Sequence, residues 1–124
     1  MKKKLAMVLA ALIAVFVLAI SAFATPSRLR TWTGDTANHY TEPWVSGHNA
    51  QAYGKASGGT ATLYFDLQGL EYNGQTYTEL SDTVTPGNSK WTSVYTNSMG
   101  ADFRTHGRFR YGNPGTGSIQ ANAW

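Results

Sequence analysis

The chain contains no cysteine, which excludes disulfide staples, thiolate metal ligation and thiol-based redox control. It holds only four prolines, and only 14% of its residues are charged, so neither a proline-rich linker nor a charged tail is present. Beyond residue 24 there is no long apolar run and no sustained apolar period of 3.6, so no helix, spanning or amphipathic, is expected there. Catalytic punctuation is missing too. There is no HExxH pair, no Asp-rich calcium loop and no Gly-x-Ser-x-Gly elbow, and His39 and His48 stand nine residues apart across a loop. No catalytic residue, no metal site and no cofactor is nominated. Glu42, Asp66, Glu71 and Glu79 offer the paired carboxylates a glycosidase needs without selecting any two, so a small extracellular hydrolase stands only as a minor alternative.

What is present begins with Lys2, Lys3 and Lys4, an uncharged apolar run from Leu5 to Ile20, and the small-residue pattern Ala22-Phe23-Ala24. That order is the signature of a secretory leader, with cleavage expected after Ala24. It divides the chain into a signal peptide, 1–24, and a secreted β domain, 25–124, extracellular or attached to a cell wall. The alternative is a retained anchor, because no charge lies between Lys4 and Arg28. Cleavage changes the charge balance. Three of the ten basic residues leave with the leader while all seven acids stay, so the formal +3 falls to zero (10 − 3 − 7 = 0). A bulk polycation that coats nucleic acid is thereby disfavoured, and no membrane span is expected after cleavage.

The remainder is rich in Thr, Tyr, Val and Trp, with thirteen glycines in the whole chain. The pattern predicts an all-β fold: a small single-domain antiparallel sandwich or barrel of about seven strands. Ala61, Leu63, Phe65 and Leu67 alternate with Thr62, Tyr64, Asp66 and Gln68, so one side of that strand is core and the other is wet. Asn73-Gly74 suits a two-residue hairpin turn, pairing Leu70 with Tyr77 and Leu67 with Leu80. Further strands are expected over Leu29–Thr33, His48–Ala56, Lys90–Thr96, Ala101–Tyr111 and Gly117–Ala123. Asp35–Gly47 reads as one long loop.

The segment from Ala101 to Tyr111 separates an apolar face (Phe103, Thr105, Gly107, Phe109, Tyr111) from a cationic one (Asp102, Arg104, His106, Arg108, Arg110). A five-residue loop, Gly112–Thr116, is expected to fold the last strand back on it as a hairpin. Phe109 would then pair with Ile119, Gly107 with Ala121, and Arg104 would lie beside Trp124. Of the four tryptophans, Trp32 and Trp91 sit within strand patterns and are expected in the core. Trp44 and Trp124 are expected outside.

Arginine forks bind carboxylate or phosphate in bidentate fashion, and flat rings stack on sugars. The candidate binding residues are therefore Arg104, His106, Arg108, Arg110 and Trp124, with Trp44 and Tyr40 contributed by the long loop. The expected function is non-enzymatic binding to a cell-wall or acidic polysaccharide. Protonation of His106 near its ordinary pKa of about 6.5 would strengthen the strip in acid. A small, exported, cysteine-free β domain ending in tryptophan is also broadly similar in kind to some bacteriocins of the general secretory route. That likeness implies an antimicrobial protein as the alternative function.

Overall fold

The computed structural model describes residues 25–124, so the expected leader, 1–24, lies outside the described residues. Nine strands lie among the described residues: β1 (Thr25–Pro26), β2 (Arg30–Thr33), β3 (His39–Tyr40), β4 (Val45–Ser57), β5 (Thr62–Leu70), β6 (Thr76–Val84), β7 (Ser89–Trp91), β8 (Tyr95–Arg110) and β9 (Thr116–Ala123). Every pairing is antiparallel.

The strands form two layers, and the fold is a sandwich. In one layer β1 and β2 lie in turn along one edge of β9, whose other edge pairs with the second half of β4, and β7 closes the other edge of β4. In the other the order is β3, β8, β5, β6. β4 belongs to both. Its first residues pair with β8, and at Ala50 it faces both Tyr95 of β8 and Ala123 of β9 before passing into the first layer. A bulge between Gly47 and Asn49 bends it at this corner, the usual device by which a strand changes sheets.

The inner faces are complementary in size. The β4–β9 layer presents Ala50, Ala52, Ala56, Ala121 and Ala123, whereas β5 and β8 present Leu63, Phe65, Leu67, Phe103 and Phe109, all buried. Small residues on one side leave room for the rings of the other. At Gly54 the fit is tightest: a Cβ there would stand 2.5 Å from the Phe65 ring. Two buried threonines between the layers are hydrogen-bonded, whereas Trp32 Nε1 and His39 Nδ1 are buried without a partner among the described residues. Buried Thr105 donates its hydroxyl to the Gln120 carbonyl (2.8 Å), and its amide donates to the hydroxyl of buried Thr41 (2.9 Å).

Several sequence expectations are corrected. The expected hairpin between the last two long strands does not form: β8 pairs with β3, β4 and β5, while β9 pairs with β1, β2 and β4 in the opposite layer. Phe109 and Ile119 still share one core, but across the sandwich instead of along a ladder. The Asn73-Gly74 turn is also larger than expected. Thr76 opposes Leu70 and Tyr77 opposes Gly69, so Glu71–Gln75 forms the loop, with Gly74 at a φ of 80°. A bulge after Leu67 absorbs the offset, and Leu67 faces Leu80 as expected. The expected strand over Lys90–Thr96 is divided between β7 and β8, and the long loop contains β3 and the start of β4. Trp91 is 42% exposed, its ring resting on Tyr53 of β4, while Trp32 is buried as anticipated.

Candidate binding face

The strip on β8 occupies the outer face of the β3–β8–β5–β6 layer. Alternation places Phe103, Thr105 and Phe109 fully inside, so Arg104, His106, Arg108 and Arg110 point outward. Registration then decides their neighbours. Arg104 lies opposite Gln68, His106 opposite Asp66 and Tyr40, Arg108 opposite Tyr64, and Arg110 opposite Thr62.

Arg104 is held on several sides. Its guanidinium carbon lies 4.2 Å over the Tyr40 ring and 4.6 Å over Trp44, and its Nε–H donates to Gln68 Oε1 at 2.8 Å. A cleft of about 330 Å³ opens beside it, bounded by Arg28, Tyr40, Glu42 and Trp44. The two rings are thus engaged by the arginine they surround. Trp124 is not part of the strip. It is 38% exposed, but its backbone is bonded to His48 and Asn49 of β4 and its expected partnership with Arg104 is absent.

His106 forms the seam of the strip. Its Nδ1 lies 2.9 Å from Asp66 Oδ2 and its Nε2 2.9 Å from Asn38 Oδ1, so both ring nitrogens have internal partners. Burial raises the Asp66 pKa, but hydrogen bonds from His106 and Ser81 outweigh it and hold the carboxyl below its usual 3.8. A second histidine braces the same region. His39 stacks on Trp32 at 4.2 Å and reaches Asp35 at 2.7 Å, and this hydrogen bond chiefly lowers the Asp35 pKa. These contacts fix the segment that carries Thr36 and Asn38 against β8.

Arg108 and Arg110 are differently placed. Arg108 donates Nε–H to the Thr36 carbonyl at 3.0 Å, and Arg110 lies 5.4 Å over the Tyr64 ring. Among the described residues neither makes an ion pair, and the acids near them are already engaged: Asp66 with His106, Asp82 with Lys90 at 2.7 Å. The two arginines together border a cleft of about 420 Å³, reaching Tyr64, Asp66, Ser81, Asp82, Thr83 and His106, and a second of about 440 Å³, reaching Thr36 and Tyr111. Tyr111 departs from its expected inward position. It follows the end of β8 with a φ of 60°, which breaks the alternation, and its side chain is 79% exposed with only an edge-on contact to Tyr64 at 5.8 Å.

Sequence reasoning missed Tyr64, Tyr111, Ser81 and Thr83 as companions of the arginines. Tyr64 was legible as outward-facing, but which strand flanked it was not. For Tyr111 the signal was the following Gly112-Asn113-Pro114, which ends a strand and so ends the rule of alternation.

No protein-family model matches the chain, and no curated protein matches it in sequence. Solved structures are similar in fold. The PBSX exported protein XepA aligns with a TM-score of 0.54 at 10% identity, over 81% of this chain and 36% of that one. PirA aligns at 0.50 and 15% identity, over 73% of this chain and 90% of that one. A protein of Bacillus endospore appendages, described as disulfide-linked pili, aligns at 0.49 and 14% identity, over 81% and 87%. The chain thus spans about a third of XepA. At such identities the likeness is one of architecture.

Proposed function

We propose that this is a secreted, non-enzymatic binding protein that contacts an anionic or saccharide component of a cell envelope through the outer face of β8. One observation carries the reading: Arg108 and Arg110 stand without carboxylate partners among the described residues, while the neighbouring Asp66 is hydrogen-bonded to His106 and Asp82 is paired with Lys90. The two guanidinium groups thereby remain open to an anionic ligand, with Asp66 and Asp82 sharing one of the clefts they border. Arg104, Tyr40 and Trp44 act as a prebuilt wall, and Trp124 plays no part in the contact.

The location rests on the leader-like start of the sequence, and the fold it shares with a protein described as exported is in keeping with it. Affinity from two or three charges is small, about 1 kcal/mol for each basic residue near an anionic surface. Useful retention therefore comes from a repetitive target that many copies occupy at once. Retention of the purified protein on bacterial cell walls and on an acidic glycan resin tests the reading. R108A/R110A is expected to abolish retention with an unchanged melting temperature; equal retention by the double variant refutes it.

A further inference from the structure

We infer that the ligand of this face is a carboxylated glycan read two sugar residues at a time, with Tyr111 as the stacking platform for one of them. This rests on the binding reading above and narrows it to a substrate class. Arg108 and Arg110 belong to both clefts at once, so they form a ridge with one depression on each side. Each depression, at about 420 and 440 Å³, lies in the range of small-ligand sites. The two have different linings. The first offers the hydroxyls of Ser81 and Thr83 and the carboxylates of Asp66 and Asp82 beside Tyr64, partners for sugar hydroxyls, so the ligand's acid group lies toward the arginines. The second offers the Thr36 segment and the ring of Tyr111. Successive same-face residues on a strand are about 6.6 Å apart, so the two guanidinium groups present a short cationic rail between the depressions. A carboxylate fits the fork of either one.

Tyr111 is what separates a sugar from a bare polyanion. It is the only non-glycine residue with positive φ among the described residues, and such a conformation is unfavourable for a tyrosine. That backbone turns an aromatic ring into water, 79% exposed, directly after Arg110. Tyr64 serves as the positioning residue: its ring takes the Arg110 guanidinium at 5.4 Å and the edge-on contact of Tyr111 at 5.8 Å, which orients both. A pyranose face can lie on the open surface of Tyr111 while its acid group reaches the rail.

The test uses galacturonate as monomer, dimer and tetramer, the matching neutral glucose oligomers, and inorganic polyphosphate, each titrated calorimetrically into the protein. The dimer is expected to bind at least about tenfold more tightly than the monomer, because it fills both depressions, and the neutral oligomers to bind weakly. Y111G removes the ring and relieves the backbone. It is expected to lower dimer affinity about tenfold, with an unchanged or higher melting temperature and unchanged polyphosphate affinity. Equal affinity for monomer and dimer, or a Y111G variant that holds the dimer as well as the parent, overturns the inference. If the walls are still held through Arg108 and Arg110 in that case, the binding reading stands and only the two-residue carboxylated ligand falls. If the unaltered protein holds neither walls nor galacturonate, both fall.

Discussion

The two halves of the outer face of β8 carry the same residue type at the same spacing, yet the structure treats them oppositely. Arg104 is stacked on Tyr40 and Trp44 and bonded to Gln68, whereas Arg110 has one ring beneath it and Arg108 one backbone bond. The strand cannot make this difference. It arises because β3 and the start of β4 bring two aromatic residues to the Arg104 end, while β5, the chain before β3 and the β8 terminus leave the other end open. One cation has become part of the wall, and the others remain available. An arginine-aromatic alternation in sequence is therefore not yet a binding surface; the strands that flank it apportion each guanidinium to structure or to solvent.

The largest test addresses what the halves share. Phe103 lies beneath the closed half and Phe109 beneath the open one, both fully buried in one core. Replacing either with alanine should cost about 3–5 kcal/mol in chemical denaturation; a much smaller loss for Phe109 would show that the open half lacks a packed foundation. Binding should divide them next. R108A/R110A should weaken retention on acidic glycan by more than about tenfold, equivalent to about 1.4 kcal/mol, while R104A retains most of it. Stability should divide them in the reverse direction. R104A should lose about 1–2 kcal/mol through its two ring contacts and one hydrogen bond, against less than about 0.5 kcal/mol for R108A or R110A.

Smaller effects lie at the seam and at the far end. Because the folded Asp66 carboxyl titrates below 3.8, its stabilising contribution is present above that pH and is lost as pH falls through the lower folded value. D66N should flatten the acid limb of the stability curve and cost about 1 kcal/mol at neutral pH, read by thermal melts across pH. Near the start of β8, burial and a hydrogen bond to Glu79 push the Tyr95 hydroxyl up to about 12. Its folded-state preference for the neutral phenol is complete below pH 10 and is lost as pH rises from 10 toward 12. Y95F should remove that alkaline dependence. The Glu79 carboxyl is raised, first by burial, so E79Q should be neutral or stabilising by up to about 0.5 kcal/mol near pH 7.

Much of the fold was legible because strand alternation is a local rule. Phe103, Thr105 and Phe109 inside with Arg104, His106 and Arg108 outside, and Leu63, Phe65 and Leu67 inside on β5, follow from a period of two that needs no knowledge of neighbours. The rule failed wherever the backbone left the strand, at the bulge after Leu67 and at Tyr111. It was also silent about partners. Placing the last strand beside β8 satisfied the apolar pattern, but so did placing it in the opposite layer, since Phe109 and Ile119 are buried in one core either way.

The sequence by itself determined an all-β chain without disulfides, the division of each long strand into an inner and an outer face, and the outward placement of the β8 arginines. Those properties depend on residues close together in the chain. Only the tertiary structure decided that Arg104 is enclosed by Tyr40 and Trp44, that Asp66 and Asp82 are committed to His106 and Lys90, and that Arg108 and Arg110 remain unpaired among the described residues. Charge compensation is a property of strands brought side by side from distant parts of the chain, and several pairings can satisfy the same apolar pattern until one packed core selects among them.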